Sequence, residues 1–408
     1  MKRMFLLSRP VKLAGVNGAR ACIGAASVFN PPHPAFRGIR PDATCEMKAC
    51  GRLPGAGQNA RHGGLKARPA EDRPSLHLCS VLAAIRALLL VILLVRPFAG
   101  AAENAGRASV IIAVSEGGEA QFADAFAKWA AQWERACDAG VARHLTIGIA
   151  RPAAGAKAAQ SDRDALKAAL DAEPKDGANE LWLVLLGHGT ADAKDAKFNL
   201  RGDDVSVSEI TAWLKPFERP VIVVCAFSTS GAWLKPLAAR GRVIVTATKN
   251  GSENNYARFG GYLSQAIADP AADIDKDGET SLLEAWLTAA RKTADFYKEE
   301  GRLATEHSLL EDNGDGLGTP PEWFSGVRAV KKTKDGTAPD GLRAAQIHLV
   351  HSAAERALTA EQRTQRDALE RELAALRDRK GTMKENEYFR ELEALLLKIA
   401  RIYRGGSQ

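Results

Sequence analysis

No cysteine motif is present. Six cysteines occur in 408 residues (Cys22, Cys45, Cys50, Cys79, Cys137 and Cys225) with no Cys-x-x-Cys spacing. Zinc-ribbon and thioredoxin-type chemistry are therefore unsupported. A surplus of basic residues is also missing from the part that reads as folded. The chain carries a net +7, but residues 1–97 hold fifteen Lys or Arg against four Asp or Glu, a net +11, which leaves −4 for the remainder. That remainder has no electrostatic footprint for nucleic acid. Nor is there an uncharged apolar run of about 20 residues, the length a helix needs to span a bilayer. What remains, 46% hydrophobic and 26% charged residues, is ordinary for a globular protein.

Residues 1–75 sustain no apolar periodicity; Pro, Gly and Arg are scattered through PPHPAFRGIRP and GRLPGAGQNARHGG. The segment reads as a disordered extension or as a stretch upstream of the true translation start. The next segment, 76–102, contains the nine-residue run Ala87–Val95 (ALLLVILLV), with Arg86 before it and Ala99-Gly100-Ala101 after it. A basic flank, a short apolar stretch and a small-x-small site predict a signal peptide around 81–101, hence a secreted or periplasmic protein. A membrane anchor reaching back to Leu76 would have to include Arg86.

From residue 103 to about 330 short apolar runs alternate with helical patterns. Ala108–Val114 (ASVIIAV), His144–Ala150 (HLTIGIA), Leu181–Leu186 (LWLVLL), Pro220–Ala226 (PVIVVCA) and Arg242–Ala247 (RVIVTA) read as strands. Gln121–Ala136 places Phe122, Phe126, Trp129 and Trp133 at helical spacing, and Asp162–Leu170 and Ser208–Phe217 read as helices. Nearly all-apolar strands alternating with helices predict an α/β three-layer sandwich, a mostly parallel sheet with helices on both faces. In such sheets ligands bind beyond the carboxyl ends of the strands.

Two of those ends carry chemistry. The Leu181 strand runs into Gly187-His188-Gly189-Thr190, and the Val221 strand runs into Ser228-Thr229-Ser230-Gly231. Taken alone, the histidine could be structural, and the hydroxyl cluster could be a helix N-cap. Taken in order, a strand followed by His-Gly and then a strand ending in a nucleophile followed by x-Ser-Gly resembles the legumain-like peptidases, which share a caspase-like fold. The resemblance spans Val110 to Trp323 and takes in TATKNGSENN (Thr246–Asn255) and Thr305-Glu306-His307. It implies that His188 is the catalytic histidine, that the Gly189 amide is an oxyanion-hole donor and that Ser228 stands where the family has its nucleophilic cysteine. Cys225 lies three residues upstream, inside the strand. A thiol scarcely needs a base, whereas a serine hydroxyl needs one within about 2.6–3.2 Å. No third residue is assignable; Asp203 and Asp204 are near in sequence only. The expected activities are therefore those of a pseudoenzyme or weak hydrolase, an active peptide-bond hydrolase through a Ser228/His188 acyl-enzyme, or a calcium-stabilised binding or scaffold module. Each implies a peptide or protein ligand.

Asp273–Glu284 (DIDKDGETSLLE) fills every position of a twelve-residue EF-hand-type loop. Asp273, Asp275 and Asp277 stand at one, three and five, Gly278 at six, the Glu279 carbonyl at seven, Ser281 at nine and Glu284 at twelve, which predicts a structural Ca²⁺. Glu311–Glu322 (EDNGDGLGTPPE) imitates the spacing, with Glu for Asp at its start and Pro320-Pro321 near its end. Lys331–Asp340 reads as a polar linker. Within 341–408, Thr359 and Gln362 have capping-box spacing. Two charged helices with narrow apolar seams, Leu369, Leu373 and Leu376 on the first and Leu392, Leu395, Leu396, Ile399 and Ile402 on the second, predict a helical hairpin. It could pack on the domain or self-associate like a short coiled coil.

Overall fold

Runs such as LWLVLL and VIVVCA place apolar side chains on both sides of the pleat, which suits strands covered on both faces. In a computed structural model of the chain these runs lie side by side at the centre of one sheet. The structure describes residues 107–149, 161–192, 194–331, 333 and 336–405. All of them belong to the second of two units, Met1–Ser75 and Leu76–Gln408. The leader and the signal peptide expected around 81–101 lie outside the described residues.

In chain order the elements are β1 (Ser109–Val114), α1 (Ala120–Ala139), β2 (Arg143–Ile147), α2 (Asp162–Ala172), β3 (Leu181–Gly187), β4 (Gly189–Ala191), β5 (Ala196–Phe198), β6 (Val205–Ser206), α3 (Val207–Leu214), β7 (Val221–Phe227), α4 (Gly231–Leu237), β8 (Arg242–Thr246), α5 (Phe259–Ala266), α6 (Leu282–Glu299), β9 (Leu309–Glu311), β10 (Phe324–Ser325), β11 (Arg328–Ala329), α7 (Ala353–Arg356), α8 (Ala360–Asp378) and α9 (Glu385–Gly405). The main sheet has the order β2-β1-β3-β7-β8-β9. All its pairs are parallel except β8–β9. The expected three-layer α/β sandwich is present. The short antiparallel edge strand β9, at the border of the second acidic segment, has no apolar run to announce it.

Alternation along the strands divides the core in two. Ile112, Val184, Val224 and Val245 face one side with Phe126 and Trp133 of α1, Leu263 of α5 and Trp286 of α6. Ala113, Leu185, Val223 and Ile244 face the other with Leu166 and Leu170 of α2, Ile210 of α3 and Trp233 of α4. Each fully buried aliphatic or aromatic side chain is worth about 1.5–3 kcal/mol, so these two layers dominate the stability. Cys137 and Cys225 fall in opposite layers, and both are free and buried. The sheet stands between them, which rules out a disulfide.

The chain winds from β1 to β2 on one side and then to β3 on the other. The winding direction thus reverses between β1 and β3, and the crevice of such a reversal opens at the carboxyl ends of the strands. Pairing of Leu185 with Cys225 and of Gly187 with Phe227 brings β3 and β7 to an end at the same level. His188-Gly189 and Ser228 leave the sheet next to each other.

The core continues past residue 330. Ala344, Ile347 and Leu349 are buried with the α1–α6 layer, and the Leu282 amide donates to the Ile347 carbonyl at 2.8 Å. The end of the linker segment is docked as well. Asp340 is 2% exposed; its carboxylate accepts from the amides of Asp312 (2.8 Å) and Asn313 (3.3 Å) and from the Thr319 hydroxyl (2.7 Å). Asp312 in return accepts from the amides of Gly341, Arg343 and Ala344. Beyond it, α8 begins with the expected Thr359–Gln362 capping box. Leu373 and Leu376 are buried, whereas Phe389, Leu396 and Leu397 of α9 are about half exposed. Among the described residues no helix is long and apolar enough to cross a membrane.

Replacing Asp340 with Ala strands two buried donors, the Asp312 amide and the Thr319 hydroxyl, and stranding even one costs about 1–3 kcal/mol. Asp340→Ala should lower stability to denaturant and speed hydrogen exchange at the Asp312 and Asn313 amides; unchanged exchange there would show that the segment is not anchored by this carboxylate.

Candidate active site

The Ser228 hydroxyl is held by one neighbouring residue. Its Oγ accepts a hydrogen bond from the Gly189 amide at 3.2 Å and donates to the Gly189 carbonyl at 3.1 Å. Ser228 is 3% exposed, so neither bond is shared with bulk water. Gly189 is needed for this approach: a β-carbon there would collide with the Phe227 ring and press on the Ser228 carbonyl. The three residues that the sequence assigns to catalysis, His188, Gly189 and Ser228, are thus brought together, but the backbone of Gly189 makes the contact and the ring of His188 does not.

The His188 backbone is fixed by its amide donating to Ser115 Oγ at 2.8 Å, just beyond β1. Its carbonyl accepts from the Asn199 amide at 3.1 Å. The imidazole lies edge-on to Phe122 and Phe126 of α1, with centroids 5.1 and 4.9 Å away, and 6.2 Å from Tyr256. Among the described residues no acid is hydrogen-bonded to the ring. Asp204 instead accepts from the Asn199 side chain at 3.1 Å. Burial pushes the imidazole below its ordinary 6.5, so it is neutral at pH 7. Burial also pushes the Tyr256 phenol up to about 12.

The rest of the hydroxyl cluster is structural. Ser230 Oγ accepts from the amides of Ala247 (3.0 Å) and Thr248 (3.2 Å), and Thr248 Oγ1 accepts from the Gly231 amide at 2.8 Å. A β-carbon on Gly231 would collide with the backbone of Lys249 and Asn250. Ser230-Gly231 therefore clamps the loop after β8 onto the start of α4. Thr229, between them, has φ +65°, a conformation that is rare for a β-branched residue. Its amide donates to the Glu253 carbonyl at 2.8 Å, while its Oγ1 is buried without a partner. Cys225 is wholly buried in β7, and burial raises its thiol far above the ordinary range. It offers no thiolate.

TATKNGSENN and Thr305-Glu306-His307 meet beside this cluster. The Glu253 carboxylate accepts from the amides of Lys249 (2.9 Å) and His307 (3.1 Å) and contacts His307 Nδ1. Glu306 accepts from the amides of Arg258 and Phe259, both at 3.0 Å, at the start of α5, and from the Tyr297 hydroxyl at 3.0 Å. Helical spacing puts Phe122 and Phe126 on one face, and nothing local in the sequence marks Tyr256 as their neighbour. Their convergence on His188 depends on the packing of α1 against the post-β8 loop, which no local pattern encodes.

The acidic loop is folded around its aspartates by backbone amides. Asp273 accepts from the amides of Lys276 (2.6 Å) and Gly278 (3.1 Å), Asp275 from Asp277 (3.3 Å), and Asp277 from Glu279 (2.9 Å). Gly278 has φ +96°, and one oxygen from each of the three aspartates lies within 4.8 Å of the others. Burial, with repulsion from neighbouring carboxylates, raises the Asp275 carboxyl. The Glu284 carboxylate reaches back to the Ile274 and Asp275 amides while also closing a capping box with Ser281. Glu311, Asn313 and Asp315 repeat the same amide contacts.

No protein-family profile matches the chain, and no curated protein matches it. Among solved structures it is similar to the Drosophila initiator caspase Dronc, with 11% identity and a TM-score of 0.33 over 53% of this chain and 84% of that one. The legumain-type resemblance therefore rests on its motifs alone.

Two outcomes follow from the geometry. A titration of the His188 ring resonances should show a midpoint below 6.5; a midpoint at or above it would mean that the ring is solvated or paired with an acid. Gly231→Ala should destabilise by about 1–3 kcal/mol, the usual cost of overpacking, and a wild-type denaturation midpoint would contradict the clamp.

Proposed function

We propose that the domain is a legumain-like, caspase-fold peptidase homologue that holds peptide or protein segments across the carboxyl ends of its sheet without cleaving them efficiently. One observation carries this reading. The Ser228 proton is directed to the Gly189 carbonyl, and the Gly189 amide that would stabilise an oxyanion is occupied by the same hydroxyl. A seryl nucleophile needs its base at about 2.6–3.2 Å, and the His188 ring is packed in T-shaped contacts with Phe122 and Phe126 instead. A hydrolase reading is favoured by the amide donor already standing beside Ser228. A fluorophosphonate probe separates the two. With calcium present the wild type should remain unlabelled; labelling that disappears in Ser228→Ala would establish a working serine hydrolase instead.

The loop Asp273–Glu284 is proposed to hold a structural Ca²⁺ through Asp273, Asp275, Asp277, the Glu279 carbonyl, Ser281 and Glu284. The clustered aspartate oxygens support it, since hard oxygen donors suit this cation. Calcium here fits the exported location expected from residues 81–101. At about 100 times its Kd the ion would add about 2.7 kcal/mol, enough to raise the Tm by several degrees over a chelated sample. Asp275→Ala should abolish the shift; an identical shift in that variant would move the ion elsewhere.

A further inference from the structure

The side chain of Glu279 turns away from the acidic loop and meets two histidines from a segment about 70 residues later. The Glu279 and His348 side chains are each 6% exposed, and that of His351 is 29% exposed. Glu279 Oε2 lies 3.7 Å from His348 Nε2, and Oε1 lies 3.9 Å from His351 Nδ1. One ligand atom from each of the three residues falls within a 4.8 Å cluster.

These separations are too long for hydrogen bonds, which close at about 2.7–3.2 Å. They come near the spacing of atoms that share one cation: with bonds of about 2.0–2.1 Å, two ligands of a tetrahedral zinc sit about 3.3–3.4 Å apart. A second observation points the same way. Nδ1 of His351, the ring atom that faces Glu279, is buried without a hydrogen-bond partner. His348, 6% exposed, turns Nε2 to the same carboxylate. A buried imidazole nitrogen without a partner is costly, and a cation between the rings and the carboxylate would satisfy Nδ1 of His351 while binding Nε2 of His348.

We propose that Glu279, His348 and His351 form a binding site for a divalent transition cation of the zinc type, distinct from the calcium loop. Two imidazoles and one carboxylate suit Zn²⁺, whereas an all-oxygen set suits Ca²⁺. The Ser352 amide donates to Glu279 Oε1, which would orient the carboxylate as outer partners do in metal sites. Three protein ligands leave a fourth position. Beside the cluster is a cavity of about 290 Å³ lined by Asp273, Glu279, Thr280, Val350, His351 and Ser352, where a water or a small anionic ligand completes the coordination. Leu349, between the two histidines, is 2% exposed and belongs to the core. The cation would therefore pin the segment leading to α7 against the loop that precedes α6.

Zn²⁺ titration of the full chain, pre-loaded with calcium, tests the site. Loss of an outer partner typically weakens metal binding about 10–100-fold, so removing a ligand in His348→Ala or His351→Ala should weaken one zinc equivalent by more than about 100-fold. Asp275→Ala should leave that equivalent intact. Equal zinc binding by wild type and the His348→Ala/His351→Ala double variant would overturn the proposal. Two readouts on the wild type are independent of how the variants fold. Co²⁺ should give the visible bands of a four-coordinate nitrogen–oxygen site, and zinc should slow hydrogen exchange at the Ser352 amide. A thiolate charge-transfer band alone, or unchanged exchange at Ser352, would place the metal elsewhere.

Discussion

The architecture of the site hangs on one pair of hydrogen bonds, those between the Ser228 hydroxyl and the backbone of Gly189. They exist because β3 and β7 run parallel and stop level, Gly187 opposite Phe227. A buried hydroxyl left unpaired costs about 1–3 kcal/mol, and the Gly189 peptide supplies both a donor and an acceptor to this one. The same junction carries the left-handed Thr229, a conformation costing about 1–2 kcal/mol for an L-residue. Ser230 and Gly231 hold it in place by gripping the loop after β8. Strain at a strand–helix turn persists only where the surroundings over-determine it, and here four consecutive residues are tied down, Ser228 by Gly189, Thr229 by Glu253, and Ser230 and Gly231 by Ala247 and Thr248.

What is local in this fold is legible in the sequence. The central strands announce themselves because both faces are covered, so Leu181–Gly187 and Val221–Phe227 contain no polar residue to confuse the pattern. The acidic loop was legible because its ligand spacing lies within twelve consecutive residues. Features built from distant segments were not. Tyr256 and Phe122 are 134 positions apart, yet their rings lie 4.9 Å from each other beside His188. Ala344, Ile347 and Leu349 join the core from a stretch with neither period 2 nor period 3.6, and β9 is only three residues long. The pairing of His188 with Ser228 lay between these cases. Sequence order placed both residues at strand ends, but which atoms of His188-Gly189 would face the hydroxyl depended on the twist of the chain leaving β3.

Two clusters of polar side chains among the described residues sit at different depths of organisation. The strand-end cluster is assembled from β1, β3 and β7 and is rigid by virtue of the sheet. The cluster around the acidic loop joins the approach to α6 with the segment before α7, through Glu279, Ser352 and the Leu282–Ile347 backbone bond. The second region therefore ties the segment from residue 347 onward to the loop before α6.

The position of the two cysteines carries a further consequence. Cys137 and Cys225 lie on opposite sides of the sheet, both buried, their thiols raised by burial, Cys137 to about 12. Thiol oxidation and disulfide exchange proceed through an accessible thiolate, and neither residue presents one. Among the described residues, therefore, no thiol offers an oxidant or a disulfide a point of attack while the fold is intact, and the packing around the sheet does not depend on the oxidation state of either cysteine.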